Sequence, residues 1–159
     1  MDKFILKAFL IIFLIILPNC GFKVLDNAEL NNFNIKEIKV DGNNNRINFK
    51  IKNSILNHSS ENGKNDLIIK ISTKKNKNVK EKNIKNEITK YEIELQSNAE
   101  IYIIQTDKTH NISFSAKGNF DVNKNYSTTI DNEKRLIKNL TDQISDQIID
   151  SINIQLNDS

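Results

Sequence analysis

The sequence predicts an α+β fold: a two-layer sandwich in which two helices cover one face of a four-stranded mixed sheet, in the order β-α-β-β-β-α. Three patterns carry this expectation. Residues 88–104 and 112–120 alternate apolar and polar side chains with the two-residue period of a half-buried strand. Ile137, Leu140, Ile144, Ile148 and Ile152 then form a stripe at helical spacing. Upstream, Ile47, Ile51 and Ile55 recur every four residues.

In chain order, Phe33–Val40 (FNIKEIKV) reads as the first strand, closed by the turn signal Asp41-Gly42. Asn45–Leu56 is ambiguous, because Ile47, Phe49 and Ile51 also alternate as on a strand. A helix is favoured there, with Asn43–Asn45 offering N-caps. Residues 57–66 are polar and read as a loop, and Leu67–Ser72 (LIIKIS) as a short strand. Lys74–Asn86 is almost wholly polar and is expected to form a long hairpin tip carrying Lys74, Lys75, Lys77, Lys80, Lys82 and Lys85.

The strand over 88–104 places Tyr91, Ile93, Leu95, Ala99, Ile101 and Ile103 on one face. Residues 106–111 are expected to turn the chain, with Lys108 and His110 in that turn. The partner strand follows through Ile112, Phe114, Ala116, Gly118 and Phe120, with Gly118 a candidate bulge. The closing helix is expected from about Asn132 to Leu156, with Asp131 as N-cap and Glu133 favourable in its first turn.

Composition narrows the function classes. Lys and Arg number 23 against 20 Asp and Glu, a formal net charge of only +3, without the concentrated basic face of a nucleic-acid binder. Asn, Ile and Lys make up 74 of the 159 residues, the skew of an AT-rich coding sequence, so clusters of Lys or Asn start with little functional weight. Cys20 is the single cysteine, so no intramolecular disulfide is expected, and Pro18 is the single proline.

The N-terminus points to a compartment. Lys3 and Lys7 precede the apolar run Ala8–Leu17, whose ten residues are too few to span a bilayer, which takes about 20. Leu17-Pro18-Asn19-Cys20 stands where a lipobox belongs, with Asn19 at the position usually held by a small residue. Residues 1–19 therefore read as a lipoprotein signal peptide, and 20–159 as a single periplasmic domain lipidated at Cys20. The thiol is the nucleophile suited to a thioether with diacylglycerol, and each buried methylene adds about 0.8 kcal/mol of anchoring. An uncleaved signal anchor with an incidental cysteine is the alternative. Gly21 follows the cysteine, where lipoproteins kept in the inner membrane commonly carry Asp. By that analogy the protein is directed to the outer membrane, facing the periplasm.

The order of elements, the Cys20-Gly21-Phe22 start, the long strand opening on Tyr91-Glu92-Ile93-Glu94-Leu95, and Asp131-Asn132-Glu133 leading into LIKNLTDQISDQIIDSI together resemble the LPS-assembly lipoprotein family LptE. The resemblance covers the mature chain in topology and mainly 20–25 and 88–156 in residues. It implies a domain that plugs the lumen of the large outer-membrane β-barrel LptD, assists its folding and binds lipopolysaccharide. Barrel and lipopolysaccharide are thus the expected partners, with the membrane reached through the N-terminal lipid.

Lys74, Lys75, Lys77, Lys80, Lys82, Lys85 and Lys108 are candidate contacts for lipopolysaccharide phosphates or for acidic groups lining the barrel. The plainer reading is a solvated loop enlarged by codon bias, with Lys108 and His110 ordinary turn residues. No enzyme activity, metal or cofactor is expected. With Cys20 lipidated no thiol nucleophile remains, His58 and His110 lie far apart, and neither G-x-S-x-G nor H-E-x-x-H occurs. Asp142, Asp146 and Asp150 read as the wet face of the last helix. A free-standing periplasmic lipoprotein binding a small envelope ligand is the alternative function.

Overall fold

Strand β1 (Phe33–Asp41), helix α1 (Asn45–Asn57), strands β2 (Asn65–Lys82), β3 (Ile88–Ile103) and β4 (Lys108–Asp121), and helix α2 (Tyr126–Asn157) follow one another in a computed structural model that describes residues 33–42 and 45–157. The sheet order is β1-β2-β3-β4, with β1 parallel to β2 and the other two pairs antiparallel. This is the expected mixed sheet, with both helices on one face. The signal peptide and Cys20 lie outside the described residues. Among those residues no helix is long and apolar enough to cross a bilayer.

The apolar residues of β1 fall at 33, 35, 38 and 40, which breaks strict alternation. A register shift between Ile35 and Glu37 absorbs the extra residue, so that Ile35 and Ile38 oppose Leu67 and Ile69 on the same face. The ambiguous segment 45–57 is a helix. Ile47, Ile51 and Ile55 are buried while Phe49 is exposed, a split that a strand could not produce. Buried Asn48 donates from Nδ2 to the Asp41 carbonyl at 2.8 Å, fixing α1 to the end of β1. Asn43 and Asn44, expected as caps, lie outside the described residues.

Three boundaries differ from expectation. β2 does not stop at Ser72 but runs on to Lys82, so the hairpin turn shrinks to the residues between Lys82 and Ile88. Its polar half is held because the register with β3 continues through Asn76↔Glu94 and Val79↔Tyr91, and ladder hydrogen bonds are indifferent to side-chain type. Asn86, with φ 61°, supplies the left-handed residue of that turn. β4 begins at Lys108, so Lys108 and His110 are strand residues rather than turn residues. Finally, α2 starts at Tyr126, well before Asp131. Asn125 Oδ1 accepts the Ser127 backbone N–H at 2.9 Å and so caps it, whereas Asp131 sits on the helix surface beside Lys134.

The core lies between sheet and helices. Ile93, Leu95, Ile101 and Ile103 of β3 share one buried cluster with Ile144, Ile148 and Ile152 of α2, and the isoleucines of α1 join it over β1 and β2. Burying each such side chain contributes about 1.5–3 kcal/mol before entropy is counted. At mid-sheet the pattern turns polar: Thr73 and Ser97 oppose one another, their hydroxyls 3.0 Å apart and buried. Gly118 is no bulge, since β3 and β4 keep register from Lys90↔Asp121 to Ile103↔Lys108. It is a point of close approach instead: a Cβ there would lie 2.6 Å from Leu136 Cδ1 of α2.

Candidate functional site

β1 stops pairing at Asp41↔Ser72, so from Lys74 to Lys82 the outer edge of β2 has no strand neighbour among the described residues. Five of the six lysines in the run lie on this open edge. Only Lys85 is in the turn. Lysine on an unpaired edge deters pairing with another chain, because a second strand would have to bury or displace the charges. The placement suits these residues to discouraging a further strand on that edge.

Their individual surroundings divide them. Lys77 turns to the helix side, where Nζ meets Glu133 Oε2 of α2 at 2.6 Å and lies 4.5 Å and 5.1 Å from the ring centroids of Tyr91 and Phe120. Those rings stack on one another at 5.5 Å. Lys80 Nζ donates to Glu92 Oε2 at 2.9 Å, and this bond holds the Glu92 carboxyl below its usual range. Lys82 Nζ donates to Asn86 Oδ1 at 3.1 Å. Lys90, from β3, is bonded to Glu81 at 3.0 Å, which raises its pKa. Among the described residues, the side chains of Lys74, Lys75 and Lys85 make no hydrogen bond or ion pair; Lys74 and Lys85 are exposed, while Lys75, opposite buried Leu95, is half-buried.

Lys108 does not join this set. It opposes Ile103, whereas Lys82 opposes Ile88 at the other end of β3. The strand length separates them by on the order of 50 Å at about 3.3 Å per residue. The two proposed contact points face opposite ends of the sheet.

The histidines also stand apart. His58 Nδ1 lies 2.8 Å from the Ser54 carbonyl at the end of α1, and His110 Nε2 is buried on β4 without a hydrogen-bond partner. Among the described residues no group of His, Cys, Asp and Glu is placed to hold a metal ion. Asp142, Asp146 and Asp150 are exposed on α2, as their spacing predicts. Tyr102 donates to Asp107 Oδ1 at 2.8 Å across the β3–β4 turn, and that bond raises its pKa.

One cluster is not marked by any motif. A groove of about 310 Å³ opens between α1 and α2, with Ile47 and Ile137 in its lining. Arg46 and Lys50 approach from α1, and Lys134, Arg135 and Lys138 from α2. The signal available in the sequence is rarity: Arg46 and Arg135 are its only arginines.

No protein-family model matches the sequence, and no curated protein matches it. Solved structures do share its fold. An uncharacterized lipoprotein B from Nitrosomonas europaea superposes with a TM-score of 0.59 at 15% identity, covering 86% of this chain and 93% of its own. The rare lipoprotein B from Shewanella oneidensis gives 0.58 at 10% identity, covering 76% and 97%. A minor lipoprotein from Acinetobacter baumannii gives 0.54 at 13% identity, covering 78% and 94%. At such identities the likeness speaks to architecture: this chain has the two-layer α+β fold found in these three lipoproteins.

Proposed function

We propose that the chain is a non-catalytic outer-membrane lipoprotein, anchored through Cys20 and facing the periplasm, which plugs and helps assemble an LptD-type β-barrel and takes part in lipopolysaccharide assembly. The observation that carries this reading is the uncovered face of the sheet. Away from the helices, β3 and β4 present Gln96, Asn98, Glu100, Ser113, Ser115 and Lys117, all exposed. The lumen of a membrane barrel is polar, so a plug needs a dry core behind a hydrophilic outer wall. The fold likeness to lipoproteins and the lipobox-like start support the same reading. Lys74, Lys75 and Lys85 are the members of the run left free to meet phosphate or carboxylate.

The test is affinity purification of the tagged full-length protein from detergent-solubilised outer membrane, with mass spectrometry of what co-purifies. A large β-barrel recovered near 1:1 is the expected result, and depletion of the protein should leave that barrel misassembled. Recovery of the lipoprotein alone, or normal barrel assembly without it, defeats the proposal. A second reading, a free-standing lipoprotein that binds a small envelope ligand, is favoured by one observation, the groove between α1 and α2.

A further inference from the structure

We infer that the groove between α1 and α2 binds a phosphorylated amphiphile, with the phosphate held by Arg46 and Arg135 and the start of a hydrocarbon chain laid on Ile47 and Ile137. The inference deepens the small-ligand reading by naming the ligand's chemistry, and it requires no barrel partner.

The arginines carry the argument. The composition strongly favours lysine, yet the two arginines among the 23 basic residues sit on different helices and converge on one groove. Lysine would serve equally for solubility. What arginine adds is a planar fork of donors that grips phosphate through two parallel hydrogen bonds.

The charge at the groove is also poorly compensated. Arg46 and Lys50 have no acidic partner among the described residues, and the Arg135 guanidinium donates to the neutral Asn132 Oδ1 at 2.6 Å. Lys134 and Lys138 have only neighbours on their own helix, Asp131 at 3.9 Å and Asp142 at 2.9 Å. Exposed pairs of that kind contribute little to stability and exchange readily for a better anion. Five cations therefore surround an apolar strip with two weakly held counter-charges.

The size selects within anions. A groove of about 310 Å³ is at the small end for ligand sites, enough for a headgroup and the first carbons of a chain. A phosphomonoester concentrates about 1.5–2 negative charges in one group, which suits cations gathered on both walls better than single carboxylates spread along a peptide. The apolar strip between the walls is wasted on free phosphate. Phosphatidic acid, a glycerophospholipid ending in a phosphomonoester, and a phosphorylated, acylated disaccharide of the lipid A type both present the required chemistry.

The experiment uses the full chain in an uncharged maltoside detergent, with binding followed by isothermal titration calorimetry. The probes are dihexanoyl-phosphatidic acid, lipid A, inorganic phosphate and dihexanoyl-phosphatidylcholine. Saturable binding of one phosphatidic acid or lipid A per chain is expected, with phosphate at least about tenfold weaker and phosphatidylcholine inert. The tighter of the first two identifies the source. R46Q/R135Q should weaken the anionic probes by about tenfold or more, and R46K/R135K, which keeps the charge and loses the fork, by less. K39Q/K70Q, on the sheet face away from the helices, should leave binding unchanged. Equal binding of phosphatidylcholine, no saturable binding of either anionic lipid, indifference to R46Q/R135Q, or an equal loss with K39Q/K70Q would each overturn the site. Barrel co-purification is scored separately, so the two readings can fail independently.

Discussion

Lys77 Nζ on β2 meets Glu133 Oε2 on α2 at 2.6 Å, joining the sheet and the long helix over residues 56 apart in sequence. The Glu133 side chain is 17% exposed and that of Lys77 35%, so the pair is shielded on one side by protein. Tyr91 and Phe120 form its aromatic floor. Lys77 thereby differs from Lys74, Lys80, Lys82 and Lys85, which face solvent or single surface partners.

Lys77→Ala should therefore lower unfolding stability by about 1–2 kcal/mol, through lost cation–π and ion-pair contacts together with the packing of its stem. Lys74→Ala should stay within about 0.5 kcal/mol of the parent. Chemical denaturation followed by circular dichroism separates the two. A double-mutant cycle with Glu133→Gln should return a coupling of about 0.5–1 kcal/mol. A zero coupling would show that the pair contributes nothing.

Gly118→Val should cost about 1–3 kcal/mol, because the added carbons enter the space of Leu136 on α2. Leu136→Ala in the same chain should recover part of that loss, although it is destabilising by itself. Thermal unfolding of the three variants provides the check. Additive losses in the double variant would place the strain elsewhere.

The open edge of β2 should become adhesive when its lysines are removed. Replacing Lys74 and Lys80 with Thr and Lys75 with Val removes three of the five edge lysines, leaves Lys77, Glu81 and Lys82, and raises the β-propensity of the edge. Size-exclusion chromatography with light scattering should show dimers or larger species at concentrations where the parent shows a single species. Unchanged behaviour would remove the edge-guarding role.

Glu92 gives a pH signature. The hydrogen bond from Lys80 lowers its pKa in the folded state, so the folded protein releases that proton more readily than the unfolded chain. The stabilisation is fully present above the ordinary glutamate value of about 4.3 and is lost as pH falls through the lower folded value. The stability gap between the parent and Lys80→Gln should accordingly be constant at neutral pH and close in acid. A gap that widens on acidification contradicts the assignment.

Much of this molecule follows from periodicity. Alternation through Ile93, Leu95, Ile101 and Ile103, and the stripe from Leu140 to Ile152, determine which segments are strand or helix and which faces are buried, because burial of apolar surface is repeated along each element. The buried isoleucines of α1 were legible too, and exposed Phe49 resolved their ambiguity. The extent of β2 was not. Its lysine-rich half carries no apolar pattern and is strand because β3 is long enough to supply its hydrogen bonds. The early start of α2 was equally hidden, since Asn125 resembles any loop asparagine until its side chain turns onto the Ser127 N–H. The candidate sites show the same division. The sequence by itself named the lysines as a group, whereas only the tertiary structure decided that Lys77 is held against aromatic rings and Lys108 stands at the far end of the sheet. Only packing two helices on one sheet face brings Arg46 and Arg135 to the same groove, because contacts between residues distant along the chain are made by elements, and no local spacing records them.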